Sequence, residues 1–322
     1  MIIHGRKKAL EVIDRVKSRN TSLPIFCTAS HWNTEAILLA AKNTGIRYGI
    51  KKIPVAVAMT YNYDYMPQAQ RITRTNDARL GFLSVMKHLQ ILADDPGSPY
   101  YDVQVLPHLD HADPFRDKWA LTDGTDYLAS VMFDAQKYPL KENIELTTEY
   151  VKEYGNKVLI EGIMDELSVF RAHEKQTVQD VDDYPERAYD YVKKTKVDFL
   201  VADLGTEQQS EGIGKNVYLK ERALKIQNLL NDRKLVLHGT SCLSDMEIRL
   251  LPGDGILRVN MWTRIAREAG LYAFNQLKNR ENKILMNDFN SIESYRYLMD
   301  SVDRASSVME GIMESLGYEN LV

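Results

Sequence analysis

The sequence has no long apolar run, no long basic run and only two cysteines, Cys27 and Cys242. A transmembrane helix needs about 20 predominantly apolar residues, so we predict no membrane span. Two cysteines are too few for a disulfide framework and indicate a reducing compartment, the cytoplasm. The net charge of −4 argues against nucleic-acid binding. Residues 1–17 have the pattern of an amphipathic helix and not that of a signal peptide.

The composition of the chain is that of an ordinary globular protein. It is 44% hydrophobic and 27% charged, which is enough apolar material for one large core. The sequence contains no low-complexity tract, no proline-rich linker and no obvious internal repeat. We therefore predict a single domain over residues 1–322.

Eight short apolar runs, rich in β-branched residues, recur along the chain at 23–28, 53–60, 102–107, 128–134, 157–161, 199–204, 235–238 and 256–260. Most are continuously apolar, as expected of strands that are buried on both faces of a parallel sheet. Helical patterns separate most of them, at 33–43, 142–154, 185–194, 219–231 and 262–278. Strand–helix alternation indicates an α/β fold, and eight units at this length predict one closed (β/α)8 TIM barrel. A last helix at 291–316 would pack outside the barrel or against a partner subunit.

Active sites of such barrels lie at the carboxyl ends of the strands, and polar side chains follow several of the predicted strands. His111 and His238 are the natural metal ligands, since neutral imidazole suits zinc, iron or cobalt. Asp110, next to His111 and therefore expected to point elsewhere, is placed for proton transfer. A catalytic metal needs about three protein ligands, and Gln208, Glu207 and Glu161 are all candidates for the third. Asp134, after the fourth strand, is a candidate substrate contact.

A phosphate site is predicted after the seventh and eighth strands. Gly239, Thr240 and Ser241, with Asn260 and Thr263, supply the backbone N–H groups and hydroxyls that cradle phosphate in such barrels. Lys215, in a glycine-rich loop, would add a positive charge, and Thr60 adds a hydroxyl after the second strand. Each feature also has a structural reading: HxDH is often a packed cluster, and Gly-Thr-Ser is often a turn or N-cap. Their joint position after successive strands favours a site.

Six ordered segments resemble the class II fructose-bisphosphate and tagatose-bisphosphate aldolases. They are LPHLDH (106–111), SVMFD with PLKENI (130–134 and 139–144), LIE (159–161), YPE through GT (184–206), LVLHGTS (235–241) and GILRVN (255–260). The resemblance implies a zinc-type divalent metal that polarises a ketose-phosphate carbonyl and stabilises an enediolate. It makes Asp110 the residue that exchanges a proton with the aldehyde oxygen, and makes His111 and His238 two of three metal-binding histidines. The remaining segments imply a site for a dihydroxyacetone-type phosphate, with Thr60 in place of a substrate-contacting serine.

The departures from the family pattern are equally specific. The third histidine is replaced by Gln208, a weaker ligand than imidazole for such a metal. The family's enolising glutamate has no clear counterpart, and Glu174 is a candidate for that role. An asparagine is replaced by Cys27, which becomes a candidate substrate contact, and an aspartate is replaced by Trp262.

These features predict a lyase that makes or breaks a carbon–carbon bond in a phosphorylated ketose. Two alternatives remain: a metal-independent aldolase, epimerase or isomerase on the same scaffold, and a non-catalytic sugar-phosphate-binding subunit. The resemblance also implies a homodimer. Asp203, on the predicted sixth strand, must be functional or paired with a neighbour such as His238 or a lysine, because an unpaired buried carboxylate is costly.

Overall fold

The structure is a computed structural model of the chain, and it describes residues 1–165, 183–210 and 217–322. Its centre is a closed barrel of eight parallel strands in sequence order, with β8 pairing back to β1. The strands are β1 (Leu23–Cys27), β2 (Ile53–Thr60), β3 (Val103–Ala112), β4 (Ser130–Phe133), β5 (Leu159–Ile163), β6 (Phe199–Val201), β7 (Leu235–Leu237) and β8 (Ile256–Met261). Nearly every strand residue is buried, as their continuous apolar character predicts. The predicted fold class is confirmed.

Helices surround the barrel and connect its strands. They are α1 (Arg6–Ser18), α2 (His31–Tyr48), α3 (Gln68–Arg71), α4 (Ala78–Asp94), α5 (Lys118–Leu121), α6 (Leu140–Tyr154), α7 (Tyr184–Thr195), α8 (Lys220–Leu230), α9 (Asp245–Leu250), α10 (Thr263–Asn279), α11 (Glu281–Leu285), α12 (Phe289–Ile292) and α13 (Ser294–Ser315). In the described part of the chain, no helix combines the length and the apolar character that crossing a bilayer requires.

The two ends of the chain close different parts of the barrel. Around α1, the backbone N–H of Gly5 donates to Leu128 and that of Arg6 donates to Lys157, two residues that precede strands β4 and β5. This helix therefore lies at the amino end of the strands, opposite the expected site. At the other terminus, α13 packs outside the barrel against α2 and α10, with Met309 and Met313 fully buried.

Two strand ends differ from the sequence prediction. β3 continues to Ala112, so the HLDH segment belongs to the strand and does not follow it. β6 ends at Val201, so Asp203 follows that strand. The Asp203 side chain is partly exposed, accepts a hydrogen bond from the backbone of Gly205 and lies 3.9 Å from Arg222. Among residues 1–165, 183–210 and 217–322, neither His238 nor a lysine forms a hydrogen bond or an ion pair with this carboxylate.

Candidate active site

A cavity opens at the carboxyl ends of the strands, where the barrel architecture places chemistry. Eleven of the predicted site residues line it: Cys27, Thr60, Asp110, His111, Gln208, His238, Gly239, Thr240, Ser241, Asn260 and Thr263. Two others, Asp134 and Glu161, are not among the lining residues. Glu174 and Lys215 lie outside the described residues.

The end of β3 brings two consecutive side chains to the same cavity. Regular strand geometry would send Asp110 and His111 to opposite faces, as the sequence analysis expected. However, the pairing of β3 with β4 shifts register between Leu109 and Ala112, and His111 has a left-handed backbone with φ of 46°. A non-glycine residue rarely adopts such a φ. This irregularity turns both side chains inward, so the expectation that Asp110 points elsewhere was wrong.

Asp110, His111 and His238 form a group that could hold a metal ion. Each offers one ligand atom, and these atoms all lie within 4.8 Å of one another. All three side chains are buried. In the described structure, neither Nε2 of His238 nor Oδ1 of Asp110 has a hydrogen-bond partner. A buried polar atom without a partner costs about 1–3 kcal/mol, and an ion would satisfy both atoms.

Asp134 orients His111 and does not contact the cavity. Its Oδ2 lies 2.7 Å from Nδ1 of His111, so Nε2 is the nitrogen that faces the other two groups. Carboxylates commonly hold metal-binding histidines in this way. The prediction that Asp134 contacts substrate is therefore replaced by an orienting role behind the imidazole.

The two cavity histidines have opposite electrostatic surroundings. Burial would lower the pKa of His111, but the carboxylates of Asp110 and Asp134 outweigh it and raise that pKa above its ordinary value. For His238, burial lowers the pKa well below the ordinary range, and His111 and Arg258 lower it further. His238 is therefore neutral at neutral pH and has a lone pair to offer a metal.

Gln208 stands where the aldolase pattern has its third histidine. Its side-chain oxygen does not face the group formed by Asp110, His111 and His238. Its Oε1 accepts a hydrogen bond from the hydroxyl of Tyr63 at 3.4 Å, and its Nε2 lies 3.3 Å from Nε2 of His111. The Tyr63 ring also stacks on His111, with ring centroids 4.3 Å apart and an interplanar angle of 10°. Tyr63 and Gln208 together cover one side of the His111 imidazole.

A polar turn after β7 forms the opposite wall of the cavity. Gly239 has a left-handed backbone with φ of 67° and is followed by a 3-10 turn at Thr240–Cys242. The Thr240 hydroxyl donates to the backbone carbonyl of Asn260 at 2.7 Å, which ties this turn to β8. Among the described atoms, neither Oγ of Ser241 nor Nδ2 of Asn260 has a hydrogen-bond partner. These two groups are free to bind an anionic oxygen.

Cys27 and Thr60 complete the lining in different ways. The Cys27 thiol lies between the two halves of the site, 3.6 Å from Oδ2 of Asp110 and 3.4 Å from Oδ1 of Asn260. The Thr60 hydroxyl is already engaged: it donates to the Met66 carbonyl and accepts from the Gln68 backbone. Thr60 therefore shapes the loop that follows β2.

Glu161 pairs with residues outside the group formed by Asp110, His111 and His238. Its Oε1 is paired with Arg258 across the barrel, and its Oε2 lies 3.5 Å from Nε2 of His108. These side chains are almost completely buried. We expected Glu161 as a possible third ligand, but it is not part of the group that lies within 4.8 Å. A buried arginine must be neutralised, and Glu161 serves that need.

Sequence reasoning missed three features of the site. The aromatic loop at residues 61–65 indicates at most a sugar contact, since tyrosines in loops are commonly exposed, and the sequence did not predict that Tyr63 stacks on His111. It did not pair Arg258 with Glu161, although an arginine in an apolar strand demands a buried acid. Trp262, noted as a departure from the family, lines the cavity beside Thr263.

Comparison with known proteins agrees with this architecture. The sequence model of the class II fructose-bisphosphate aldolases matches residues 7–320. A fructose-bisphosphate aldolase of Helicobacter pylori is 33% identical over 155 residues, which are 45% of this chain. The matched part spans about half the length of that curated relative, 48%.

Solved structures show the same fold. The fructose-bisphosphate aldolase from Campylobacter jejuni superposes with a TM-score of 0.72 at 18% identity, covering 98% of this chain and 95% of the other. The YdjI aldolase from Escherichia coli gives 0.61 at 17% identity, covering 96% and 94%. Since the family's sequence model spans nearly the whole chain, the protein belongs to the class II fructose-bisphosphate aldolase family.

Proposed function

We propose that this protein is a lyase that makes or cleaves a carbon–carbon bond in a phosphorylated ketose. One observation carries the proposal: four buried polar atoms without partners line one cavity among the described residues. They are Oδ1 of Asp110, Nε2 of His238, Oγ of Ser241 and Nδ2 of Asn260. The first two suit a cation, and the last two suit an anion. A ketose phosphate bound next to a metal ion would satisfy both pairs.

We propose a divalent metal, with zinc as the first candidate, held by His111 and His238, whose ligand atoms lie within 4.8 Å of each other. Neutral imidazoles suit zinc and related ions, and a catalytic ion with about three protein ligands keeps a position open for substrate. The orientation of His111 by Asp134 supports this use. When bound, such a metal supplies Lewis-acid polarisation of the substrate carbonyl.

The substrate phosphate is proposed to bind at the turn after β7 and the start of α10. Gly239, Ser241 and Asn260 provide the donors, and α10 begins at Thr263 beside them. The first turn of a helix has N–H groups without intrahelical partners and a partial positive charge, which attract phosphate. The ligand expected there is of the dihydroxyacetone phosphate type.

Two side chains can hold a proton close to the group formed by Asp110, His111 and His238. Asp110 is proposed to exchange a proton with the aldehyde oxygen, as the family resemblance implies. Burial, reinforced by Asp134 and Asp110, raises the pKa of Tyr63 far above its ordinary value, so its phenol remains protonated and donates. Glu174, outside the described residues, keeps its proposed role as the enolising base.

The test of this function combines turnover with metal content. The purified protein would be assayed for cleavage of ketose mono- and bisphosphates and for condensation with dihydroxyacetone phosphate, before and after chelation. We expect turnover that chelation abolishes and zinc restores. His111→Ala should lose both activity and metal, because Nε2 of this residue faces the group. Metal at full occupancy in that variant would show that the ligand assignment is wrong.

Other outcomes would select the alternative functions. Turnover that survives complete chelation would indicate a metal-independent aldolase, epimerase or isomerase, an alternative that the loss of the third histidine at Gln208 supports. Sugar-phosphate binding without turnover, unaffected by Asp110→Ala, would indicate a non-catalytic binding subunit. Either result would contradict the proposed lyase.

The proposal includes a homodimer in the cytoplasm. The dimer is supported by large apolar side chains that are exposed between residues 271 and 292, in α10, α11, α12 and the segments between them. They are Leu271, Tyr272, Phe274, Leu285, Met286, Phe289 and Ile292. A concentration of exposed apolar side chains commonly marks an interface.

A further inference from the structure

The replacement of a family histidine by Gln208 raises the question of which atom completes the metal centre. A glutamine would coordinate a metal through its oxygen, since the amide nitrogen has no lone pair to give. Here that oxygen accepts the Tyr63 hydroxyl, and the amide nitrogen faces His111. Asp134 lies at Nδ1 of His111, and a metal ion would take the Nε2 lone pair that the Gln208 amide nitrogen faces here. Gln208 therefore offers no ligand atom to the centre.

The other candidate carboxylates do not reach the centre either. Glu161 is committed to Arg258, and neither it nor Glu207 belongs to the group whose ligand atoms lie within 4.8 Å. Asp110 does belong to that group. Its side chain is 4% exposed, and among the described residues its Oδ1 has no hydrogen-bond partner. The unpaired oxygen of a buried carboxylate calls for a cation, because desolvating that charge without a partner is costly.

We propose that the metal centre of this protein has two imidazole ligands and one carboxylate ligand, with Oδ1 of Asp110 taking the place of the missing imidazole. The irregular end of β3 makes this possible, because it directs Asp110 and His111 into the same cavity. The inference rests on the proposed function only in requiring that a metal binds. It leaves Oδ2, beside the Cys27 thiol, to exchange the proton.

The ligand set also changes which metals should bind well. A carboxylate adds a negative charge and a harder oxygen donor than an imidazole does. Sites with two histidines and one carboxylate suit iron(II), manganese and cobalt as well as zinc. We therefore expect Asp110→Asn to weaken manganese and iron(II) binding more than zinc binding.

Metal affinity, measured without turnover, tests the assignment. Zinc and cobalt(II) would be titrated against a chromophoric chelator into the wild type, Asp110→Asn and Gln208→Ala, with Asp64→Asn as a control on an exposed loop. Replacing a residue that only orients a metal ligand already lowers metal affinity by about 10–100-fold. We therefore expect Asp110→Asn to lose at least ~100-fold, and the other two variants to stay within about threefold. The visible cobalt(II) spectrum should change only in Asp110→Asn.

A double variant provides a positive result that a merely destabilised site would not give. Asp110→Asn/Gln208→His replaces the lost carboxylate with an imidazole, so we expect it to recover at least about tenfold in zinc affinity over Asp110→Asn. If Asp110→Asn fails to fold, as judged by circular dichroism and thermal melting, Asp110→Glu replaces it. Because glutamate keeps a carboxylate on a longer side chain, it should bind cobalt(II) with a shifted spectrum.

Two results would overturn the inference. Metal affinity that is unchanged in Asp110→Asn, with activity lost, would make Asp110 a proton-transfer residue only and leave the proposed lyase intact. A loss in Gln208→Ala as large as that in Asp110→Asn would assign the third ligand to Gln208. By contrast, a wild type that binds none of these metals would contradict the proposed metal-dependent function itself.

Discussion

His108 lies beneath the cavity in a fully buried polar network. Its Nδ1 is 2.8 Å from the Ser130 hydroxyl, which also accepts a hydrogen bond from Arg258. Burial, followed by the positive charge of Arg258 and by His238, lowers the pKa of His108 well below its ordinary value of 6.5. The imidazole is therefore neutral in the folded protein, and its protonation would place a second positive charge beside Arg258.

This network predicts sensitivity to acid. Below pH 6.5 the unfolded chain binds a proton at His108 that the folded protein does not, so the free energy of unfolding falls as pH falls. One such group contributes a slope of about 1.4 kcal/mol per pH unit. We expect His108→Asn, which retains a polar group for Ser130, to show a slope shallower by that amount below pH 6.5. The measurement is denaturant unfolding of the metal-free protein from pH 5 to 7.

His238 and His111 do not cancel this difference, because both are present in the variant and in the wild type. His238, with a lowered pKa, adds to the acid sensitivity. His111, with a raised pKa, acts in the opposite direction, because the stability it contributes is lost as pH rises through its folded pKa. Replacing the exposed His4 with Asn is the control. Identical slopes for His108→Asn and the wild type would contradict a neutral buried His108.

At the scale of the element, the turn after β7 depends on one glycine. Gly239 has φ of 67°, and a Cβ added there would lie 2.8 Å from backbone atoms of Glu207. Glu207 precedes Gln208 in the loop after β6. The turn after β7, where the phosphate is proposed to bind, therefore packs against that loop at Gly239. A side chain at Gly239 would push the two loops apart and displace Ser241.

Gly239→Ala should therefore damage both stability and phosphate binding. A non-glycine residue in a left-handed conformation costs about 1–3 kcal/mol, and displaced donors should weaken binding of a phosphate ligand by at least about tenfold. The measurements are chemical unfolding and calorimetric titration with dihydroxyacetone phosphate. Gly270→Ala is the matched control: it lies in α10 with open space around its added Cβ, and it should be neutral or stabilising by up to ~1 kcal/mol. Equal behaviour of the two variants would contradict the strained turn.

At the scale of the whole molecule, the barrel gathers groups that are distant in sequence. Cys27 on β1, Asp110 on β3, His238 after β7 and Asn260 on β8 all line one cavity. Parallel strands in a closed barrel have all their carboxyl ends on one side. The helices outside the barrel remain available for other contacts, and α10 to α12 carry the exposed apolar side chains described above.

The proposed dimer can be tested on that outer surface. Phe274 and Met286 are 61% and 82% exposed, and burying them against a partner would be the main gain of association. We expect Phe274→Glu/Met286→Glu to sediment as a monomer under conditions in which the wild type is a dimer. Ile91→Glu, at a 67% exposed apolar position on α4, is the control and should remain dimeric. A double variant that still sediments as a dimer would exclude this surface as the interface.

The sequence by itself determined the fold class, because eight apolar runs separated by helical patterns admit few other arrangements. It also identified most residues of the cavity, since side chains at the carboxyl ends of parallel strands must converge. Only the tertiary structure decided how these residues are used. The register shift at the end of β3 turns Asp110 and His111 to one side, against the alternation that local sequence predicts. Similarly, Arg258 pairs with Glu161, and the Tyr63 hydroxyl donates to Gln208. Local sequence patterns could not predict these pairings, because each joins segments about 100 residues or more apart.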